Sequence, residues 1–151
     1  MNRATIGYGL MVVAVVAAVV YLMPSRPLND VERCRAIFAG LARGRGSVQE
    51  QIDWMHLQAL GQDLGAAYQV MKTDADRTRY RQTFVVGFSQ GFQGTGARLS
   101  EFVNWREYAR QGATVTIATD YPKHQKTLLM VLGTSSDGKQ RLQDIRWKDA
   151  T

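Results

Sequence analysis

Residues 113–148 read ATVTIATDYPKHQKTLLMVLGTSSDGKQRLQDIRWK, and this stretch decides the fold. The run at 114–119 is rich in β-branched residues and predicts a strand. The run at 127–132 is apolar on both faces, as expected of a strand in the middle of a sheet. Asp137-Gly138 predicts a hairpin turn before a last strand at 141–148. The stretch therefore predicts an antiparallel meander.

Helices are predicted upstream of this meander. Asn29 or Asp30 can cap a first helix, whose apolar side chains recur at helical spacing over residues 31–41. Ser47-Val48-Gln49-Glu50 has the form of a capping box. It predicts a second helix that carries apolar residues from Trp54 to Met71. The sequence TDAD at residues 73–76 has the composition of a third helix start.

The third predicted helix carries an aromatic residue at every fourth position, from Tyr80 to Phe92. The glycine-rich stretch 91–96 predicts a turn after it, and residues 103–108 read as a strand or as a continued helix. Helices followed by strands indicate an α+β domain over residues 28–151. The expected fold class is α+β: a single N-terminal transmembrane helix, then helices packed on a curved antiparallel sheet of three to four strands.

The N-terminal prediction rests on the apolar run from Ile6 to Met23, IGYGLMVVAVVAAVVYLM. An apolar helix of about 18–20 residues crosses a hydrocarbon core of about 30 Å. A cleaved signal peptide is the rival interpretation, but residues 20–24 lack a small-x-small cleavage site. We expect residues 1–27 to be a tail and a membrane anchor. The expected location is a bacterial inner membrane, with a periplasmic C-terminal domain.

Composition narrows the kinds of site that the chain can hold. The single cysteine excludes an internal disulfide and cysteine-rich zinc sites, and His56 and His124 lack metal-ligand spacing. No metal and no cofactor are predicted. The net charge of +6 is scattered along the chain, without a long basic block. Such a charge can attract anionic lipid headgroups, or it can simply be solvated at the surface. Nucleic acid is not an expected partner.

The aromatic repeat of the third helix has two interpretations. One is core packing, and the other is the wall of a cavity for an apolar ligand. For the second interpretation, the candidate lining residues are the apolar positions of the helices and of the central strands: Trp54, Leu64, Tyr68, Phe84, Phe88, Val115, Ile117, Met130 and Leu132.

Catalysis is not predicted, because no nucleophile elbow, phosphate-binding loop or paired-carboxylate motif is present. Asp53 and His56 are three residues apart and could form an acid–base couple on one helix face. A surface hydrogen bond or ion pair is the preferred interpretation of these two residues. We therefore expect a protein that is not an enzyme.

Several short motifs resemble the MlaC, or toluene-tolerance, family of periplasmic phospholipid carriers. They are Ile52-Asp53-Trp54, Leu64-Gly65, residues 73–77 (TDADR) and the spacing Tyr80-x-x-x-Phe84-x-x-x-Phe88. The resemblance implies a nuclear-transport-factor-2-like cone fold and a lipid ligand. The family usually loses its leader and shuttles between membranes, whereas this chain is predicted to keep an anchor. The same cone fold also forms the periplasmic domain of VirB-type secretion scaffolds.

Two functions follow as expectations. The first is a membrane-anchored domain that binds lipid or another hydrophobic ligand, with membrane lipids as partners. The second is an accessory or scaffold subunit of a larger inner-membrane complex, with a filled core and with other membrane-protein subunits as partners. A cavity of several hundred Å³ between the Phe84/Phe88 helix and the strands at Val115 and Met130 would favour the first.

Overall fold

The computed structural model describes residues 28–148. Among these residues no helix has both the length and the apolar composition needed to cross a membrane. The longest helix, Asp74–Gly94, carries charged side chains throughout its first two turns. The membrane-spanning helix of the predicted fold class is therefore not borne out by the described part of the chain. The residues predicted to form it, Ile6 to Met23, lie outside the described range.

The first helix was predicted correctly. Helix α1 spans Asp30–Ala42 and is capped by Asn29. The Asn29 side chain accepts a hydrogen bond from the backbone N–H of Glu32 (2.8 Å), and the Glu32 carboxylate accepts one from the backbone N–H of Asn29 (3.2 Å). This reciprocal capping satisfies two donors that the helix itself cannot pair.

The second predicted helix is wrong. Residues Gly46–Gln51 form a 3₁₀ turn, and strands β1 (Gln58–Ala59) and β2 (Gln62–Asp63) follow it. Only helix α2, Leu64–Gln69, is α-helical in this region. The backbone of the segment bonds to the last strand instead, since the N–H groups of residues 53 and 60 donate to carbonyls of that strand at 2.9 and 2.8 Å. Sheet pairing of this kind overrides local helix preference.

Gly65 allows the start of α2 to pack closely against the loop before β1. A Cβ at this position would lie 2.6 Å from the carbonyl oxygen of Met55. The loop before β1 and the start of α2 can approach this closely only because residue 65 has no side chain.

Helix α3 spans Asp74–Gly94 and begins at the predicted cap, Thr73, whose hydroxyl accepts from the N–H of Asp76 (3.1 Å). The turn predicted over residues 91–96 starts too early, because Gly91 and Gly94 still belong to the helix. A second 3₁₀ turn, Leu99–Glu101, leads into the sheet.

The strands of the meander are β3 (Val103–Gln111), β4 (Thr114–Tyr121), β5 (Lys126–Thr134) and β6 (Gln140–Trp147). They pair antiparallel in sequence order, and β1 joins β6 in parallel. The described sheet thus has six strands in the order β2-β1-β6-β5-β4-β3. The α+β class holds, but the predicted sheet of three to four antiparallel strands is wrong. Strands of two residues are too short to give a periodic signal.

The core lies between α1 and the inner face of β4, β5 and β6. Its central side chains have no solvent exposure, among them Ile37, Leu41, Ile117, Met130 and Ile145. Burial of each such side chain stabilises the fold by about 1.5–3 kcal/mol. Helix α3 packs beside α1 and buries only Val85 and Ser89 fully. Its aromatic residues remain partly accessible, and two of them, Phe88 and Phe92, border a cavity.

Candidate functional site

A cavity of about 490 Å³ opens between α3 and the end of the sheet. This volume lies within the range of about 300–1,000 Å³ that is typical of small-molecule sites. Its wall is drawn from all parts of the domain and is mostly apolar: Phe38, Leu60, Gly87, Phe88, Gly91, Phe92, Thr95, Ala97, Phe102, Tyr121, His124, Lys126, Leu128, Ile145 and Trp147.

A cluster of aromatic rings forms the floor of this cavity. Phe38 of α1 meets the edges of Phe88 and Phe92, with centroid distances of 6.3 and 5.7 Å. Phe102 stacks on Tyr121 at 4.6 Å and an angle of 7°, and Tyr121 lies 6.3 Å from the ring of Trp147. Aromatic pairs of this kind contribute about 0.5–1.5 kcal/mol beyond their buried area. The floor is therefore held in place before any ligand arrives.

Two glycines form the helical wall. Gly87 and Gly91 lie one turn apart on α3, and a Cβ at either position would meet no other atom within 4 Å. Glycine in a helix costs about 1 kcal/mol relative to alanine. The space that larger side chains would fill is part of the cavity, so the two glycines help to keep it open.

The turn between β1 and β2 reaches the rim of the cavity. Leu60 and Gly61 form this two-residue turn, with φ angles of +50° and +83°. Positive φ at both positions matches a type I′ turn, which usually carries Asn-Gly. Leu60 instead places an apolar side chain, 56% exposed, in the cavity wall. A leucine in this conformation is unfavourable relative to asparagine or glycine, so Leu60 is a candidate for a role at the cavity rim.

The polar end of the cavity lies where β4 passes into β5. The 3₁₀ turn Pro122–His124 is followed by Gln125, whose φ is +52°. The ring of His124 lies 4.8 Å from that of Tyr121, and the Nζ atom of Lys126 lies 5.5 Å from the centre of the Trp147 ring. Both basic side chains line the cavity, and no carboxylate does so among the described residues.

Of the nine predicted ligand-binding residues, the structure places Phe88 in the wall of this cavity. Val115, Ile117, Met130 and Leu132 have no solvent exposure and belong to the filled core. The space between α3 and the middle of β4 and β5 is thus packed, and the open volume is displaced toward the end of the sheet.

The other four predicted residues form a separate group. Trp54 and Tyr68 are 7% exposed, and the Trp54 ring lies 5.5 Å from that of Phe84. Leu64 and Phe84 pack against the same core as partly buried residues. No finding tests whether any of the nine contacts a ligand, so that assignment stays a prediction.

Trp54 and Tyr68 border a second, more polar cavity of about 520 Å³. The guanidinium of Arg77 lies 5.6 Å from the centre of the Tyr68 ring, and Arg81 donates to the Tyr68 hydroxyl at 3.0 Å. Small-molecule sites are mostly apolar, whereas the wall of this cavity carries three arginines (Arg77, Arg81 and Arg141) and two acids (Glu50 and Asp53). It has less of the character of a ligand site than the first cavity.

The predicted contact of Asp53 and His56 is present, but the two residues lie in the turn before β1 and not on the predicted helix face. The Asp53 carboxylate is 5% exposed and lies 3.0 Å from Nδ1 of His56 and 3.0 Å from the amide nitrogen of Gln143. The imidazole is 62% exposed. The pair joins the loop before β1 to β6 and lies outside the wall of the apolar cavity.

The sequence reasoning missed most of the cavity wall. The available signal was the repeat GFSQGF at residues 87–92, in which glycine and phenylalanine recur together four residues apart. In a helix this repeat places two rings beside a strip of bare backbone. The contributions of Leu60, Tyr121 and Trp147 had no comparable local signal.

No family model and no curated protein matches this chain. A search of solved structures finds a protein of Shewanella frigidimarina named as a "putative ketosteroid isomerase". The likeness covers 77% of this chain and 91% of the other, with 12% sequence identity and a TM-score of 0.43. A likeness this weak assigns neither a fold family nor a function to this chain, and the nuclear-transport-factor-2-like fold stays a prediction.

Two predictions are affected by this comparison. Membership of the phospholipid-carrier family is not confirmed and stays a prediction. The matching protein is named as a putative isomerase, which conflicts with the prediction that this chain is not an enzyme, but the likeness assigns no activity to this chain. The prediction from sequence that the protein has no catalytic activity is therefore withdrawn.

Proposed function

We propose that this domain binds a hydrophobic small molecule, such as a lipid chain, in the cavity between α3 and the end of the sheet. The observation that carries the proposal is an apolar space of about 490 Å³ with a preformed aromatic floor. Removing apolar surface from water is worth about 25 cal/mol per Å², so a ligand that covers these rings gains binding energy without reorganising the wall.

The structure supports this function better than the scaffold alternative. That alternative predicted a filled interior, and the middle of the sheet is indeed packed around Ile117 and Met130. The end of the sheet is not packed, since Phe88 and Phe92 are only partly buried and flank two glycines. The expected membrane lipids as partners, and the periplasmic location, stay predictions.

The proposal is tested by filling the cavity from the helix side. In Gly91→Leu, the new side chain enters space that is empty of other atoms. Gly94→Leu is the matched control, because Gly94 lies on the same helix with equal free space and is not part of the cavity wall. Both substitutions improve helix propensity, so neither is expected to lower stability.

The measurement is the fluorescence of the neutral apolar probe N-phenyl-1-naphthylamine with the full-length chain. The apolar residues 6–23 can also take up the probe, so the two variants are compared with each other. We expect Gly91→Leu to weaken probe binding by roughly tenfold or more, because the leucine occupies ligand space. Equal binding by the two variants, with unchanged urea midpoints, would overturn the proposed function.

A further inference from the structure

We infer that the ligand of this cavity is an anionic amphiphile, whose acidic head group lies at Lys126 and His124 and whose chain lies against the aromatic floor. This inference rests on the proposed function and adds the chemical class of the ligand. It is argued from the charges of the cavity wall, from the position of Lys126 and from the partners of the nearby acids.

The wall carries positive charge at one end only. Lys126 carries this charge, and His124, two residues before it, adds an imidazole that can form a hydrogen bond. No acidic residue lines the cavity within residues 28–148. Thr95 is a further polar residue of the wall, but its hydroxyl already donates to the carbonyl of Phe92 at 2.6 Å. A ligand with one acidic end and one apolar end matches this distribution.

The acids near this turn already have basic partners. Glu101 lies 3.6 Å from Nζ of Lys123. Asp120 accepts two hydrogen bonds from Arg106, at 2.9 and 3.1 Å. Within the described part of the chain, the ammonium of Lys126 has no carboxylate partner and contacts the face of a tryptophan ring instead. Its charge is therefore available to a ligand.

The position of Lys126 is set by the wall itself. Its Nζ atom lies 5.5 Å from the centre of the Trp147 ring, and that ring lines the cavity. A cation–π contact of this kind is worth about 0.5–1 kcal/mol at an exposed site. It holds the ammonium at the boundary between solvent and the apolar floor, where an acidic head group would meet it.

The backbone of the turn fixes the spacing of the two bases. Gln125, which separates them, has a φ of +52°, and Lys126 pairs with Tyr121 at the start of β5. A residue other than glycine in this conformation costs on the order of 1–2 kcal/mol. The strained residue places His124 and Lys126 on the same side of the turn, as both line the same cavity.

The experiment compares three amphiphiles with the same chain: hexadecanoate, hexadecyl phosphate and hexadecan-1-ol. Each displaces N-phenyl-1-naphthylamine from the full-length chain. The variant is Lys126→Met, which keeps an apolar stem against Trp147 and removes the charge. Lys139→Met is the control, because it removes the same charge from the exposed hairpin between β5 and β6, outside the cavity wall.

We expect the unchanged protein to bind at least one acidic amphiphile more tightly than the alcohol. Lys126→Met is expected to weaken binding of that acid by roughly three- to tenfold, because it removes one charged hydrogen bond at a solvent-accessible site. The affinity for the alcohol should not change. Lys139→Met should retain the preference. A preference for hexadecanoate indicates a carboxylate ligand, and a preference for hexadecyl phosphate indicates a phosphate head group.

Failure of this inference is distinguishable from failure of the proposed function. If the alcohol binds as tightly as both acids, and Lys126→Met changes nothing, the anionic class is wrong while the hydrophobic site stands. If none of the three amphiphiles displaces the probe, and Gly91→Leu and Gly94→Leu bind the probe equally, the site itself is wrong.

Discussion

Replacement of Leu60 should separate the stability of the domain from its ability to bind a ligand. Leu60 and Gly61 occupy the two positive-φ positions of the turn between β1 and β2. A β-carbon makes this conformation unfavourable by about 1–2 kcal/mol, whereas asparagine tolerates it well. Leu60→Asn creates the Asn-Gly sequence that type I′ turns prefer. The backbone N–H of residue 60 keeps its hydrogen bond to the carbonyl of Ile145 (2.8 Å).

The size of the effect follows from the exposure of the side chain. Leu60 is 56% exposed, so a little under half of it is buried in the unliganded domain. Full burial of a leucine is worth about 1.5–3 kcal/mol, so the substitution loses about 1 kcal/mol of burial and regains about as much from the turn. The free energy of unfolding should therefore change by less than about 1 kcal/mol.

Binding should respond differently, because a ligand covers the exposed part of Leu60. That part is worth roughly 1–1.5 kcal/mol on burial, which corresponds to about five- to tenfold weaker binding in Leu60→Asn. Urea denaturation measures the stability, and displacement of N-phenyl-1-naphthylamine measures the affinity. Leu60→Ala is the control, because it keeps the turn strain and loses the side chain, so both quantities should fall. Unchanged affinity in Leu60→Asn, together with a loss of more than about 2 kcal/mol of stability, would show that Leu60 is a core residue and refute this reasoning.

Two further predictions concern titratable groups. The Cys34 thiol has no solvent exposure, and its burial raises its pKa to about 12. We expect Ellman's reagent to modify Cys34 only in step with unfolding in urea, and rapid modification of the native protein would contradict this. The Asp137 carboxylate accepts hydrogen bonds from Arg141 at 2.7 Å, which hold its pKa well below the usual range. A lowered folded-state pKa stabilises the fold above about pH 4, so Asp137→Asn should lower the urea midpoint at pH 7, and its difference from the unchanged protein should shrink as the pH falls below about 4.

The elements that could be predicted from sequence are those with local causes. Helices α1 and α3 begin at Asn29 and Thr73 because these side chains cap the first turn with their own neighbours. The meander strands follow from β-branched runs and from an Asp-Gly turn, which are also local signals.

The segment from residue 47 to residue 71 could not be predicted in this way. It carries a capping-box sequence and helical apolar spacing, yet it forms a 3₁₀ turn, two short strands and only the six-residue helix α2. The reason is non-local: the N–H of Asp53 donates to the carbonyl of Leu142 at 2.9 Å, and Ala59 pairs with Ile145. Such bonds involve residues about 90 positions away in sequence and leave no trace in a local pattern.

For this protein, the amino-acid sequence by itself determined the class of fold, the main helices and strands, and the existence of an aromatic stripe on α3. Local hydrogen bonds and side-chain periodicity decide these features. Only the tertiary structure decided that Phe84 packs on the core while Phe88 borders open space, and that Lys126 stands at the edge of that space. A cavity is bounded by residues that are distant in the chain, so its position depends on where the packed helices and strands leave a space unfilled.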